Sequence, residues 1–265
     1  MFKRITAYVI TLFGVLTLGS AAGTLAQPAS KSSSQRPVPA RNAAPAAPVR
    51  NPYAEADKLL TRGDDTNKDR QALQLLEGLA TAGNAGYETL WRLSRAYYFV
   101  GDFAPQAQKL AYFQKGADAA SRAVALQPNS VDGQFWLAAN YGGQGELVGV
   151  FKAMSLVKKI RAGMQLVLQL NSSYEEGAAY LALGEIEREL PYIAGGDKKK
   201  AISYFEQGLK MFPGNFEMKV ALGKAYSEVG RKEDSRKILQ EVLQAQARNR
   251  GQRDAQDEAR KLLGK

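Results

Sequence analysis

Lys219-Val220-Ala221-Leu222-Gly223-Lys224-Ala225-Tyr226 is the stretch that decides the fold. Its spacing, Lys219-x2-Leu222-Gly223-x2-Tyr226, sets large apolar residues and a glycine on one side of a helix of 3.6-residue period. Gly230 follows and can make a turn. Ser235-x3-Leu239-x2-Val242 then begins a second amphipathic helix. Just upstream, Ala201-x3-Phe205-x2-Gly208-x4-Pro213 carries the same second-helix spacing and ends in a proline, which cannot continue a helix. Small residues let paired helices approach closely, and the large ones fill the seam between them.

The same frame recurs upstream. Leu222 lies nine residues after Pro213, Leu137 nine after Pro128, and Leu93 nine after Asn84. Ala138 and Tyr141 complete the second of these, and Ser94 and Tyr97 the third. Ala72-x3-Leu76-x2-Leu79 and Gly116-x3-Ala120-x2-Ala123 repeat the second-helix spacing. Leu126-Gln127-Pro128-Asn129-Ser130 is nearly copied by Leu168-Gln169-Leu170-Asn171-Ser172. This is the tetratricopeptide pattern of W-x2-L-G-x2-Y on one helix, A-x3-F on the next and a closing proline.

The expected fold is therefore all-α: a tetratricopeptide-like solenoid of about five antiparallel helix pairs, near residues 52–83, 87–127, 131–170, 173–212 and 216–247. Asn51-Pro52 marks the first helix start. Asp197 caps a helix beginning at Lys198. Ser172-x2-Glu175 and Ser173-x2-Glu176 both fit a capping box. The middle is irregular: Tyr97 to Gly116 is about ten residues longer than a standard unit needs, and helices near 145–170 and 173–190 read as stretched. Residues 51–247 form the expected repeat domain, followed by a charged helix or tail over 248–265.

Residues 1–50 read differently. Lys3 and Arg4 precede an uncharged, mainly apolar run from Ile5 to Leu18, and small residues lead to Ala26. This is the pattern of a signal peptide over 1–26. The charge-free run from Ile5 to Gln27 is also just long enough for an uncleaved anchor. Residues 27–50, rich in Pro, Ala and Ser and without an aromatic residue, are expected to form an unstructured linker or membrane tether.

Composition excludes much chemistry. The 265 residues contain no cysteine and no histidine, so disulfides, thiol nucleophiles, the usual zinc sites and histidine triads are ruled out. The net charge of +10 is concentrated at the start, where residues 1–50 hold six basic residues and no acidic one. No basic-aromatic nucleic-acid motif appears. Glu185 and Glu189 share a helix face and Asp64-Asp65 are adjacent, yet no nucleophile, metal ligand set or phosphate loop accompanies them. We therefore expect no catalytic, metal or cofactor residues and a role in binding a protein partner.

Aromatic residues are the candidate contacts: Trp91, Tyr98, Trp136, Tyr174 and Tyr180. Aromatics also fill repeat seams, which is the expected place of Tyr97 and Tyr141. Trp91 and Trp136 stand beside the consensus positions and are expected to face a groove. Val148, Phe151, Met154, Val157, Met164 and Leu168 form a stripe expected in the core. Lys198, Lys199 and Lys200 crowd the positive end of a helix, where cations are mildly unfavourable, and so are candidates to meet an acidic partner.

One block carries a family resemblance. Tyr174-Glu175-Glu176-Gly177-Ala178, Leu183-Gly184-x2-Glu187, Pro191 and Gly195-Gly196-Asp197-x2-Lys200-Ala201-x3-Phe205-Glu206 resemble the TRAP-transporter T-component (TatT) family. Trp136-Leu137-Ala138-Ala139-Asn140 and Trp91-x2-Ser94-Arg95-Ala96 look like earlier regions of it. The similarity spans roughly residues 70–245. A related eukaryotic group, the regulators of microtubule dynamics, shares this helical style, and the signal-like start favours the T-component. The resemblance implies a periplasm-facing protein that docks a periplasmic solute-binding protein, holds a small apolar or carboxylate ligand and forms a homo-oligomer. The lipoprotein cysteine of some members is absent. The alternative is a general scaffold for a cell-envelope complex.

Overall fold

The computed structural model describes residues 51–264. The signal-peptide and linker expectations lie outside them. The described residues form eleven α-helices, two 3-10 turns and no strand. The helices pair in chain order: α1 (Ala54–Leu59) with α2 (Thr66–Thr81), α3 (Tyr87–Asp102) with α4 (Gln106–Leu126), and α5 (Val131–Gly145) with α6 (Val150–Asn171). Then α7 (Ala178–Glu189) pairs with α8 (Lys198–Met211) and α9 (Phe216–Glu228) with α10 (Lys232–Gln244), while α11 (Arg250–Leu262) packs on both α9 and α10. Each helix packs mainly on its neighbours in sequence, as expected of a quasi-one-dimensional repeat array. None of the described helices is long and apolar enough to cross a membrane.

Local chemistry sets the helix ends. Asp65 starts α2 by accepting from the backbone N–H of Asn67 (3.0 Å) and Lys68 (3.1 Å). Asp197 does the same for α8 with Lys199 (2.9 Å) and Lys200 (3.1 Å). Gly230 closes α9 at φ +83°, a conformation that a side chain resists. The extra length of the middle lies in α4 and α6, of 21 and 22 residues, against 14 for α8. The expectation for 173–190 is corrected: α7 has only 12 residues, and a 3-10 turn over Tyr174–Gly177 precedes it.

That turn also corrects the capping boxes. Glu175 and Glu176 adopt φ +48° and +54°, and Gly177 follows at +72°. Left-handed backbone at non-glycine residues costs about 1–2 kcal/mol each, so tertiary contacts must hold it. Asn171 Oδ1, not a glutamate, accepts from the Ser173 N–H at 3.0 Å. Glu175 reaches instead to Arg62, 2.7 Å away.

The core runs along the array as four packed clusters. The largest joins α3 to α7 around Phe135, Trp136, Ile160, Met164 and Leu183. Of the α6 stripe, Val157 and Met164 are buried, whereas Phe151 is 92% exposed, a correction to its expected core place. It lies in the first turn of α6, before the helix is covered. The close seams are narrow. A Cβ on Gly184 would lie 2.3 Å from Phe205 Cε1, and Phe205 is fully buried. Helix propensity favours alanine over glycine by about 1 kcal/mol, but overpacking a filled core costs about 1–3 kcal/mol. Gly184→Ala is therefore expected to lower stability in a urea titration, the trapped Phe205 ring making the steric cost the larger.

Two of the repeats share a polar device. The consensus tyrosine of the first helix donates its hydroxyl to a glutamate on the preceding second helix, Tyr97 to Glu77 (2.6 Å) and Tyr226 to Glu206 (2.7 Å). Both glutamates follow the large residue of the A-x3-F spacing, Leu76 and Phe205. Burial, with the hydrogen bond to Glu206, pushes the Tyr226 hydroxyl from 10.0 to about 12. A pKa raised on folding means a contribution that is whole below pH 10 and is lost as pH rises through about 12. Denaturation midpoints measured across that window should fall, and Tyr226→Phe should flatten the slope.

Candidate functional site

The site begins with one buried carboxylate. Asp69, on α2, is 1% exposed. It accepts from the backbone N–H of Thr61 (2.5 Å), Arg62 (3.1 Å) and Gly63 (2.7 Å), and from the Thr61 hydroxyl (3.0 Å). The loop between α1 and α2 is thereby wrapped around a side chain, with Arg62 at φ +58° and Gly63 at +93°. Gly63 is obligatory here on two counts, since a Cβ would also lie 1.9 Å from the Phe103 ring.

The wrapped loop reaches two distant parts of the chain. Arg62 pairs with Glu175 on the strained turn (2.7 Å). Asp64 accepts from the backbone N–H of Arg250 (2.7 Å) at the start of α11, and Arg253 lies 3.5 Å from it. The Arg250 guanidinium donates to the Gly63 carbonyl (3.2 Å) and lies 4.4 Å from the centre of the Phe103 ring. The first and last parts of the described array therefore meet.

Between them lies a cavity of about 450 Å³, within the range of ligand pockets. Its walls come from the loop after α1, from α3, α7, α9 and α11, and from Glu146 after α5. The first helix of successive pairs thus faces it. Aromatic faces come from Tyr98, Phe99, Phe103 and Phe216. The charged lining is one-sided: Asp64, Asp102 and Glu146 from the first half, and Glu175, Glu176, Glu217 and Asp254 from the second, against Arg62 and Arg250. Burial pushes the Tyr98 hydroxyl well above its usual range, and the nearby charges of Asp102, Glu146 and Glu217 push the same way. Its proton stays on at neutral pH. Among the described residues, no group of three or more His, Cys, Asp or Glu side chains is placed to hold a metal ion.

Of the five candidate aromatics, Tyr98 lines this cavity. Trp136 is 0% exposed, so its expected place in a groove is corrected. Its indole N–H donates to the Tyr174 oxygen (3.1 Å), and the Tyr174 hydroxyl donates to Asp132 (2.8 Å). Both are structural polar links inside packed aromatic edges. Trp91 is also corrected: it is buried, hydrogen-bonded to Glu88 (3.1 Å), and covered by the guanidinium groups of Arg92 and Arg95 at 4.2 and 5.0 Å. Tyr180 packs against the cluster shared by α7, α8 and α9.

The lysine run is reduced as a docking patch. Lys198 pairs with Glu228 and Lys200 with Glu187, each at 3.0 Å, while Lys199 is exposed. These pairs and the Asp197 cap offset the charge crowding. Glu185 and Glu189 are likewise structural: both bind Arg188, which also meets Glu228 at 2.5 Å. Burial raises the Glu185 pKa and Arg188 works against it.

Sequence reading missed Arg62, Asp69, Phe103 and Arg250. Asp69 stands four residues after Asp65 and carries no motif of its own. The pairing of residues 63–64 with Arg250 joins positions 186 and 187 apart. No periodicity reports such a contact.

Comparisons with known proteins agree with this architecture. A tetratricopeptide repeat family model matches residues 192–256. A thermophilic TPR protein from Thermus thermophilus, TTC0263, is 19% identical with a TM-score of 0.60, covering 81% of this chain and 98% of its own. MamA from Desulfovibrio magneticus RS-1 is 16% identical at a TM-score of 0.49, covering 72% and 92%. The likeness to TTC0263 concerns the fold. No curated protein matches. The T-component resemblance is not what the family models return. The related group set beside it is: the model described as "Regulator of microtubule dynamics protein 1-3" matches residues 53–185, half of the chain, and the protein belongs to that family.

Proposed function

We propose that the protein is a non-catalytic docking scaffold whose partner-binding surface is the cavity where the two ends of the repeat array meet. The observation that carries this is the lining itself, drawn from residues 61 to 254 and from successive first helices. Stacked repeats generate concave surfaces of this kind, and proteins use them to hold partners. The family description, regulators of microtubule dynamics, likewise names work done on a protein assembly. The apolar run from Ile5 to Leu18 behind Lys3 and Arg4 supports export.

A photo-crosslinking residue at Asp102, on the cavity wall, tests the proposal against one at Tyr192, which is 88% exposed on the loop before α8. In the native host, one partner captured from position 102 and not from 192, and then binding the purified chain in titration, is the expected result. Capture confined to position 192 would overturn the assignment of the cavity.

A second reading makes the partner the periplasmic solute-binding protein of a TRAP-type system. The Pro191 to Phe205 block and the signal-like start favour it. The carboxylate ligand implied by that resemblance fits the cavity poorly, because seven carboxylates and two arginines line it and like charges repel. Identifying the protein captured at position 102 as a solute-binding protein would establish this reading. Its absence from the adducts would remove it.

A further inference from the structure

Helices α3 to α10 pack in chain order and alternate in direction, so the turns inside the pairs α3–α4, α5–α6, α7–α8 and α9–α10 lie along one edge of the array. Two neighbouring turns on that edge carry the three most exposed large hydrophobic side chains among the described residues: Phe151 at 92%, Tyr192 at 88% and Ile193 at 72%. None of the three lines the cavity. Arg161 on α6 donates to the Gly195 carbonyl of the second turn at 3.3 Å, and Leu147, Val148 and Ala194 pack on one core cluster, which sets the two turns side by side. The second turn is tied down. The Ala194 and Gly196 N–H groups donate to the Pro191 carbonyl at 2.9 and 3.1 Å, and Asp197 N–H donates to the Glu187 carbonyl at 2.9 Å. Tyr192 and Ile193 are therefore held outward by a fixed backbone.

The open charge around these tips is positive. Lys152, Lys158 and Lys199 are exposed and, among the described residues, in no ion pair. Lys152 adjoins Phe151, and Lys158, two helical turns on, shares its face. The nearby carboxylates are already engaged: Glu187 with Lys200, Glu189 and Glu228 with Arg188, and Asp197 with the start of α8.

We propose that this edge docks on an anionic lipid surface, with Phe151, Tyr192 and Ile193 entering the interface and Lys152, Lys158 and Lys199 meeting the headgroups. Aromatic and aliphatic tips ringed by lysine suit a boundary that is apolar below and negatively charged above. The sequence outside the described residues is directed to the same surface. Ile5 to Leu18 is mainly apolar, and residues 27–50 carry Lys31, Arg36, Arg41 and Arg50 with no acidic residue. Stable attachment to a bilayer generally takes more than one such signal. This edge is separate from the cavity, so its failure leaves the docking reading untouched.

The chain has no cysteine, so a single introduced cysteine takes a single label. The environment-sensitive fluorophore NBD is placed at Phe151→Cys, at Ile193→Cys and, on the opposite edge, at Leu126→Cys, which is 58% exposed in the parent. The full chain is mixed with vesicles of equal parts phosphatidylcholine and phosphatidylglycerol. Emission at positions 151 and 193 is expected to rise, shift to the blue and be quenched by doxyl-labelled lipid, with position 126 unchanged. The double variant Lys152→Gln, Lys199→Gln, read at position 193, should lower the contact equilibrium about fivefold for each lysine removed. Added salt should lower it too.

Vesicle binding that leaves all three labels unquenched would assign membrane contact to the first residues alone and overturn the proposal. Quenching at position 126 as strong as at 151 and 193 would do the same. Equal quenching in pure phosphatidylcholine would remove the anionic headgroup from the reading. A blue shift at 151 and 193 that grows with protein concentration in the absence of vesicles would give this edge to a second copy of the chain.

Discussion

Asp69→Ala is expected to destabilise the protein by about 3–5 kcal/mol, since it removes a buried charged acceptor whose hydrogen bonds contribute about 1.5–3 kcal/mol each before the loop relaxes. The alanine leaves three backbone N–H groups without their acceptor, while the Thr61 hydroxyl keeps the Asp65 carbonyl at 3.1 Å. Each orphaned donor costs about 1–3 kcal/mol when it stays buried. Relaxation of the loop into water recovers part of this, and that relaxation is the second readout. Residues 61–64 hold Arg62 against Glu175 and Asp64 against Arg250. Amide exchange should therefore rise together at residues 61–64 and 249–253, positions far apart in sequence. Asp69→Asn should lose less, since one oxygen still accepts, but its amide now points a donor at donors.

Trp136→Ala is the other large effect. Truncating a fully buried tryptophan costs about 3–5 kcal/mol, and this one packs edge-on against Phe135 and Phe99 with ring centres 5.0 and 5.6 Å away. The Tyr174 oxygen also loses the indole donor. Chemical denaturation checks the magnitude. Trp136→Phe keeps most of the apolar contact and should cost well under half as much. If Trp136 faced a groove instead, alanine there would change stability little and partner affinity much.

The seams of the repeats were legible because they depend on local spacing. Leu222, Gly223 and Tyr226, or Ala201 and Phe205, bury one helix face against the next, and a 3.6-residue period reports that directly. Trp91 and Trp136 were misplaced for a related reason. A helix inside an array is covered by its own partner and by the neighbouring pairs, so positions flanking the consensus stripe are buried too. For Trp136 on α5, the covering helices are α3, α4 and α6.

The turn at Ser173 to Gly177 shows the opposite failure. Its residues satisfy the capping-box pattern, but Asn171 caps the backbone locally and Arg62 draws Glu175 across the cavity. Tertiary charge pairing overrode a sound local rule. The cavity itself was hidden for the reason that makes it a site: its walls come from the first loop, the middle turn and the last helix, which meet only in three dimensions.

The most direct test of the account is amide hydrogen exchange on the full chain, alone and saturated with the partner captured through position 102. The account predicts protection concentrated at residues 61–64, 98–103, 175–181 and 249–254, the walls of one cavity. Protection confined to the loop at 191–200, with the cavity walls unchanged, would contradict it.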